Sequence, residues 1–256
     1  MRAVFITLSF TLLPALFLEA QIGTAQSGAI PRDTSNIVFF DNRFQAERDV
    51  QYAAYYGTPR KIGDNRYEVI FYTLSGQKFA MGEYLGANLR NRNGIFVRYD
   101  LEGRIILSVP YHRSLMHGVF QRWHLNGNLA DSGEVERNYN IGMWKSWHPN
   151  GQLREIKYFK LMKTPRNQTY SMLNGEYRSW DQDGRIKDSG LYKGGYKNGV
   201  WIEWVQNAEL RSLGIYKKGW KAGDWKFYDK TGKFLYIRRY KKNHYDPTGE
   251  LIRINN

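Results

Sequence analysis

The chain has 256 residues, enough for one ordinary domain or one array of repeats, and its 42% hydrophobic content is typical of a folded soluble protein. It contains no cysteine, which excludes disulfides, thiolate chemistry and acylation of a lipoprotein cysteine. Lys and Arg outnumber Asp and Glu by 38 to 24, so the formal net charge is +14, and 16% of the residues are aromatic. Such a chain favours anionic partners, and it either buries its aromatic rings or presents them to a ligand.

The first 25 residues have the pattern of a signal peptide. Arg2 precedes an apolar run from Ala3 to Leu18, and a stretch of small residues follows the run. Cleavage is predicted after Ala25, with cleavage after Ala20 as the alternative. The run is short for a transmembrane helix, and no later segment of the sequence is apolar enough to cross a membrane. We therefore predict export to a periplasmic, outer-membrane-associated or extracellular location, with an uncleaved anchor as the alternative.

Residues 26–64 do not follow the repeat described below and are predicted to form an N-terminal cap over the first hairpin. Ile37–Phe40 has the composition of a strand, and the alanines of Phe44–Tyr56 permit a short helix. Tyr55–Pro59 is interpreted as a stop, because glycine and proline interrupt regular structure. An independent binding module is the alternative, although the segment is short for one.

Residues 65–256 form a repeat domain whose period is 24 residues, interrupted once by a nine-residue insertion. The clear units begin at Gly94, Gly118, Gly142, Gly175, Gly199 and Gly223. The second-position column, two residues later, is Phe96, Phe120, Trp144, Tyr177, Trp201 and Trp225. The fifth-position column is Tyr99, Trp123, Trp147, Trp180, Trp204 and Tyr228. The seventeenth-position column is Tyr111, Val135, Phe159, Tyr192, Tyr216 and Tyr240.

Each unit is interpreted as a β-hairpin, because two short apolar runs are separated by turn residues. Asn150-Gly151 and Asp183-Gly184 supply the positive φ that tight turns require. A second turn is predicted at Lys197–Gly199 and at Lys221–Gly223. A weaker unit at Tyr72–Tyr84 brings the number of units to about seven. The sequence therefore predicts an all-β fold, a single elongated antiparallel meander of stacked hairpins that is twisted or curled.

The two aromatic columns of the first strand are predicted to point to opposite faces, because side chains alternate along a strand. A bulge would bring both columns to one face, and the sequence leaves this open. The tryptophans of the fifth-position column are interpreted first as structural and second as a binding row. The candidate interaction surface combines this column with C-terminal lysines: Trp123, Trp147, Trp180, Trp204, Tyr228, Lys217, Lys218 and Lys221.

The search for catalytic, cofactor and metal sites selects no residues. His124 and His148 occupy equivalent positions in adjacent hairpins, where two imidazoles are able to share a zinc ion. Other units have Asp100, Asp181 and Asp229 at this position, which favours a turn residue that hydrogen-bonds the backbone. The acidic residues are scattered without a recurring pair for acid–base chemistry, and the periodic glycines are turn residues.

Positive charge is concentrated near the C-terminus, where ten Lys and Arg residues lie between Lys217 and Lys242. This charge predicts an anionic lipid or glycan surface as a partner, beside a protein partner. The alternative is a solvated lysine-rich face that keeps the sheet soluble and protects its edge. Single-stranded nucleic acid also suits alternating basic and aromatic residues, but an exported protein rarely meets it.

Three sequence patterns, Asn-Gly-x-Leu, Tyr-Lys-x-Gly and Gly-x-Trp-x-x-Trp, resemble the MORN-repeat variant. The resemblance covers roughly residues 65–240, is strongest at Gly190–Gly232, and extends to the bacterial YwqK-family antitoxin proteins, common in secreted chains of Bacteroidetes. The departures are Ala208 in place of glycine, the nine-residue insertion within Phe159–Asn174, and the decay through Asp246–Gly249. The resemblance implies a hairpin-repeat fold, with membrane attachment, protein scaffolding or neutralisation of a toxin as functions.

These observations together predict a non-catalytic exported scaffold that mediates protein–protein or envelope-surface interaction, without a cofactor. The oligomeric state is left open. One alternative is a carbohydrate-active enzyme that uses tryptophans as sugar platforms, although hydrolysis needs two carboxylates at a fixed separation and the sequence nominates no such pair. The other alternative is a neutralising protein of the antitoxin type.

Overall fold

The computed structural model describes residues 36–205, 210–241 and 249–252. The predicted signal peptide, Ala208 and the decaying segment around Asp246 lie outside these residues. Within the described ranges the fold is all-β, with antiparallel strands, one short 3-10 turn at Val50–Tyr52 and no α-helix. No helix in these ranges is long and apolar enough to cross a membrane. The predicted all-β class and the antiparallel hairpin order are confirmed.

The chain divides at residues 139 and 140 into two compact units, each an antiparallel meander. Unit 36–139 contains three of the repeat hairpins, β4–β5, β6–β7 and β9–β10. Its strands are β1 Val38–Phe40, β2 Ala46–Glu47, β3 Tyr55–Gly63, β4 Arg66–Thr73, β5 Lys78–Leu85, β6 Asn91–Tyr99, β7 Ile105–His112, β8 Leu115–Met116, β9 Gly118–Trp123 and β10 Leu129–Glu136.

Unit 140–252 contains four repeat hairpins, β11–β12, β13–β14, β15–β16 and β17–β18, and a short last strand. Its first strand begins one residue before the division. The strands are β11 Tyr139–Trp147, β12 Leu153–Lys163, β13 Thr169–Trp180, β14 Ile186–Lys193, β15 Tyr196–Val205, β16 Leu210–Lys217, β17 Trp220–Asp229, β18 Phe234–Tyr240 and β19 Glu250–Ile252.

An aspartate begins the hairpin turn in three units. Oδ1 of Asp100 accepts hydrogen bonds from the backbone N–H groups of Glu102 and Arg104, both at 2.9 Å. Asp181 and Asp229 accept the equivalent pairs of backbone hydrogen bonds in their own turns. A glycine with positive φ follows in each turn: Gly103, Gly184 and Gly232. The interpretation of this position as a turn-starting residue is confirmed in these three units.

The second turn of each unit lies earlier than the sequence predicted. The two-residue turns are Gly194-Gly195 and Lys218-Gly219, with φ from 50° to 85° at all four residues. Tight hairpin turns of this kind need positive φ at both central residues, which glycine adopts without strain. Gly199 and Gly223, predicted as turn residues, instead lie within β15 and β17 beside register shifts of the ladder.

The N-terminal segment contains more strand than its sequence indicated. Val38–Phe40 is a strand, as predicted. The short helix that the alanines of Phe44–Tyr56 permit is reduced to a 3-10 turn at Val50–Tyr52. The stop predicted at Tyr55–Pro59 is wrong, because these residues begin the nine-residue strand β3. Pro59 lies beyond the end of β1 and pairs with Val69 of β4, so the proline does not interrupt β3.

The nine-residue insertion lengthens one hairpin and does not form an irregular loop. β12 and β13 have 11 and 12 residues, and their pairing continues as far as Lys163 and Thr169. The Ser171 hydroxyl donates a hydrogen bond to the Asn140 carbonyl oxygen at 2.5 Å. The insertion is therefore an ordered arm that is joined to the start of β11.

A row of buried aromatic rings fills one face of unit 36–139. Phe71 and Phe96 come from repeat strands, and Phe40 and Phe44 come from the N-terminal segment. The ring centroids of Phe40 and Phe71 lie 4.8 Å apart, and those of Phe44 and Phe96 lie 5.0 Å apart, both in the edge-to-face arrangement that aromatic pairs favour. The N-terminal segment therefore covers this row.

A second row, the aromatic ladder, fills one face of unit 140–252, which we call its core face. The ladder alternates the second-position and seventeenth-position columns: Tyr177, Tyr192, Trp201, Tyr216, Trp225 and Tyr240. Successive centroids lie 5.1–6.1 Å apart, with ring planes inclined by 75–87°. Trp201 and Trp225 are fully buried. A Cβ at Gly190 or Gly214 would overlap one of these indoles, so glycine lets each indole lie on the backbone of the preceding strand.

Candidate interaction surface

The structure separates the two aromatic columns of the first strand. β15 and β16 pair in unbroken register from Gly199 to Val205, so alternation holds along this stretch. Trp201 lies on the core face, and Trp204 therefore lies on the opposite face, which we call the open face. The other candidates of the fifth-position column are half-buried like Trp204: Trp123, Trp147, Trp180 and Tyr228. The second-position column thus supplies the core, and the fifth-position column stays partly accessible.

Aliphatic side chains continue the open face beside Trp204. Val200 and Ile215 are cross-strand partners with exposed fractions of 59% and 44%, and Leu191 on the adjacent strand is 47% exposed. Ile202 lies between Val200 and Trp204 on this face and is half-buried. Sequence reasoning missed these aliphatic residues. Each of them is next in sequence to a ring of the core face. Because side chains alternate along a strand, the neighbours of a buried ring point to the other face, and this is the signal that would have found them.

Two ion pairs border this aliphatic row. Glu176, the cross-strand partner of Leu191, lies 3.4 Å from Arg178. Asp224 accepts two hydrogen bonds from Arg239, at 2.6 and 2.8 Å. The hydrogen bonds and charge of Arg239 lower the pKa of Asp224, so this carboxylate is ionised at neutral pH. The open-face patch, defined as Leu191, Val200, Ile202, Trp204 and Ile215, is therefore apolar at its centre and charged at its borders.

The three candidate lysines do not lie together. Lys217 and Lys218 are exposed at the turn between β16 and β17. Lys221 lies on the core face, where its Nζ is 3.0 Å from an oxygen of Glu203 and 3.9 Å from the centre of the Trp225 ring. Its ammonium group is thus already engaged within the unit, and the exposed cations are the two turn lysines.

One acid, Glu203, holds the two lysines that cover the aromatic ladder. Lys197 Nζ lies 2.6 Å from Glu203 Oε1 and 4.2 Å from the centre of the Trp201 ring. The Tyr216 hydroxyl donates a hydrogen bond to Glu203 at 2.9 Å. Burial alone would raise the pKa of Glu203, but hydrogen bonds and charges from Lys197 and Lys221 outweigh burial and lower the pKa. Glu203, Lys197 and Lys221 form the lysine brace, in which lysine stems cover indole rings and cations lie over their faces.

Two carboxylates oppose each other within the ladder. Asp188 is the cross-strand partner of Glu203, and its backbone N–H donates to the Ser179 hydroxyl at 3.1 Å. Burial raises the pKa of Asp188, so the two acids are shifted in opposite directions. Both Glu203 oxygens contact lysine or tyrosine groups. These contacts are those of a structural charge cluster, because they leave no oxygen of Glu203 uncommitted.

His148 joins two adjacent hairpins. Its Nε2 lies 2.9 Å from the carbonyl oxygen of Trp180, and its backbone N–H donates to the Gln152 carbonyl at 2.8 Å. This contact fits a turn residue that hydrogen-bonds the backbone. In the part of the chain that the structure describes, no group of three or more His, Asp and Glu residues is placed to hold a metal ion.

Part of the chain is similar to a known family of repeats. The family model described as MORN repeat variant matches residues 141–161, which cover most of the β11–β12 hairpin. No curated protein matches the chain. The match supports a MORN-repeat protein. Repeats of this kind are commonly modules for protein or membrane-lipid interaction, and the family is generally non-enzymatic.

Proposed function

We propose that this chain is a non-catalytic, exported scaffold that binds a protein partner on the open-face patch of unit 140–252. The observation that carries the proposal is the row of Leu191, Val200 and Ile215, which are 44–59% exposed although they lie in an ordered sheet. An apolar centre with a charged border is the composition of many protein interfaces. The MORN-repeat match supports an interaction role in general.

Burial of the patch supplies a driving force for association. Full burial of a Val, Leu or Ile side chain contributes roughly 1.5–3 kcal/mol relative to full exposure. Three half-exposed aliphatic residues therefore contribute about 1 kcal/mol each when a partner covers them. Trp204 borders the row, and tryptophan is enriched among the residues that dominate binding energy.

Export in this proposal rests on the signal-peptide pattern of residues 1–25. Neutralisation of a toxin, suggested by resemblance to the YwqK-family antitoxins, would be a special case of protein binding on the same patch. The carbohydrate-active alternative would use the Asp188–Glu203 pair. The engagement of both Glu203 oxygens favours a structural role for that pair over an acid–base role.

Site-specific photo-crosslinking in the native host tests the proposal. A photoreactive residue at Val200 is expected to give a discrete protein adduct, whereas the same residue at Gln182, exposed in a turn, should not. Replacing both Leu191 and Ile215 with Asp should abolish the Val200 adduct, because charge opposes burial of the patch. Equal adducts from the two positions, or none from Val200, would contradict a partner on the open face.

A further inference from the structure

Successive turns of unit 140–252 alternate between two ends of its strands, and these ends differ in charge. At one end, acids and bases balance. The turn at 181–185 contains an Asp183–Arg185 ion pair at 2.9 Å, and in the turn at 229–233 Asp229 precedes Lys230 and Lys233. At the other end are the arm turn at 164–168 and the two-residue turns already described.

This second end, the basic edge, carries a large excess of positive charge among the described residues, and its acid is Glu250 at the start of β19. No Asp or Glu lies in the turns at 164–168, 194–195 and 218–219 or at the strand ends that flank these turns, and no ion pair within the described residues involves the lysines or arginines of these turns. Its exposed cations are Lys160, Lys163, Arg166, Lys193, Lys217, Lys218 and Lys241. Lys197 and Lys221 of the lysine brace, by contrast, are paired with Glu203.

The cations of the basic edge are regularly spaced. Lys193, Lys217 and Lys241 are one 24-residue period apart, and each directly follows a tyrosine of the aromatic ladder. Equivalent positions in successive hairpins are separated by two strands, which corresponds to about 9–10 Å. The basic edge is thus a row of single positive charges with a nearly constant interval.

Exposed aromatic rings accompany two of these lysines. Tyr196 is the cross-strand partner of Lys193, and Trp220 is the cross-strand partner of Lys217. The two rings are 40% and 51% exposed, and they too are one period apart. Each two-residue turn is therefore flanked by one cation and one ring. The Tyr196 ring is supported by the next turn, since a Cβ at Gly219 would lie 3.1 Å from it.

The hairpin repeat does not need this combination in order to fold. In unit 36–139 the equivalent two-residue turn at Arg113-Ser114 is flanked by His112 and Leu115 in place of the lysine and the ring. Residues 36–139 carry 13 Lys and Arg against 11 Asp and Glu, whereas residues 140–256 carry 23 against 11. An unpaired row of like charges opposes folding through repulsion, and an anionic ligand relieves that repulsion.

We propose that the basic edge binds a linear acidic polysaccharide. The glycan lies across the strand ends, with carboxylates on Lys193, Lys217 and Lys241 and with sugar rings against Tyr196 and Trp220. The apolar C–H face of a pyranose packs on an aromatic ring, and a disaccharide is comparable in length to the interval between successive turns. A lipid surface would also engage lysines and exposed aromatic rings, but it does not require their constant spacing, whereas a polymer with a repeating unit does. This surface shares no residue with the open-face patch, so a negative result for one proposal does not affect the other.

Binding of hyaluronan, which carries one carboxylate per disaccharide, to the full chain tests the proposal. The methyl-esterified polymer is the uncharged control. The variant Lys193→Gln/Lys217→Gln should weaken binding about tenfold and reduce its salt dependence, since it removes two charge contacts. The variant Lys230→Gln/Lys233→Gln loses the same charge at the opposite end and should bind as the unmodified chain does. Thermal unfolding of each variant confirms that it remains folded.

A second pair of variants separates a glycan from other polyanions. Tyr196→Ala and Trp220→Ala should each weaken hyaluronan binding several-fold, because each removes a surface for a sugar ring. Vesicles of phosphatidylglycerol and phosphatidylcholine should bind the parent chain less tightly than hyaluronan does. The proposal is overturned if hyaluronan does not bind at low salt or if the two lysine variants are weakened equally. It is also overturned if the ring variants bind hyaluronan normally, or if oligothymidylate or the vesicles bind more tightly than hyaluronan.

Discussion

In unit 36–139, Phe40 and Phe44 of the N-terminal segment lie over the aromatic row, whereas in unit 140–252 the stems of Lys197 and Lys221 lie over Trp201 and Trp225. The first cover consists of two phenylalanine side chains, which are apolar and do not titrate. The second depends on the charge of one carboxylate, Glu203. The aromatic row of the same repeat can therefore be covered either by an apolar chain segment or by lysines paired with an acid. The two kinds of cover respond differently to substitution and to pH.

The largest expected effects come from removing a ring of either core. Phe71→Ala and Trp201→Ala remove fully buried side chains of the two units, and each should lower the free energy of unfolding by roughly 3–5 kcal/mol. Urea denaturation measures the change. Trp204→Ala, on the open face, is the matched control and should cost clearly less. An equal loss for Trp201→Ala and Trp204→Ala would show that the core face has been assigned wrongly.

Glycine against an aromatic ring is a feature that both units share. A Cβ at Gly82 would overlap Phe96, and a Cβ at Gly190 would overlap Trp201. We expect Gly82→Ala and Gly190→Ala each to destabilise the fold by about 1–3 kcal/mol, because the rings must shift. Ser189→Ala, next to Gly190 but on the open face, is the control in chemical denaturation. A stabilised Gly190→Ala variant would contradict the close packing of the indole on the backbone.

The lysine brace should make unit 140–252 depend on one acid. Glu203→Gln leaves two partly buried lysines without their carboxylate and should cost about 1–3 kcal/mol at neutral pH. Glu176→Gln, which changes an exposed acid of the open face, should leave the thermal midpoint unchanged. An unchanged midpoint for Glu203→Gln as well would show that the brace does not stabilise the ladder.

The pH dependence of this effect has a definite sign. The pKa of Glu203 is lowered in the folded state, so its contribution is fully present above the unfolded pKa of about 4.3 and is lost as pH falls through the folded pKa. The pKa of Asp188 is raised by burial, so its ionised form opposes folding at neutral pH, and this penalty disappears on acidification. Acid titration of thermal stability should therefore show a smaller loss for Glu203→Gln, and Asp188→Asn should be more stable than the parent at neutral pH.

The smallest effect is expected on the open face. Val200→Thr keeps a β-branched side chain at an exposed strand position, so the unfolding free energy should stay within about 0.5 kcal/mol of the parent. Replacing Leu191 and Ile215 with Asp should nevertheless abolish the crosslinked adduct formed from position 200. A large loss of stability would show that Val200 belongs to the core, which would remove the basis for a docking surface.

The hairpin repeat, the turn role of Asp100, Asp181 and Asp229, and the strand at Val38–Phe40 were predictable, because each depends on local residue chemistry. The second turns were misplaced because Lys197–Gly199 and Gly194-Gly195 both contain glycine, and only strand pairing shows which glycines turn the chain and which lie in a bulge. The strand at Tyr55–Gly63 was missed because Pro59 suggests an interruption, and pairing with β4 overrides that local signal.

Periodicity along the chain was enough to determine an array of β-hairpins with aromatic columns, because turn chemistry and alternation act within one unit. Which column is buried was decided only by the tertiary structure, since burial depends on what covers a face. The separation of Lys221 from Lys217 and Lys218 follows the same rule: a few residues along a hairpin carry a side chain from an exposed turn to the core face, where Glu203 and Trp225 engage it. Local sequence sets where the chain turns, and contacts between distant strands set which side chains meet water.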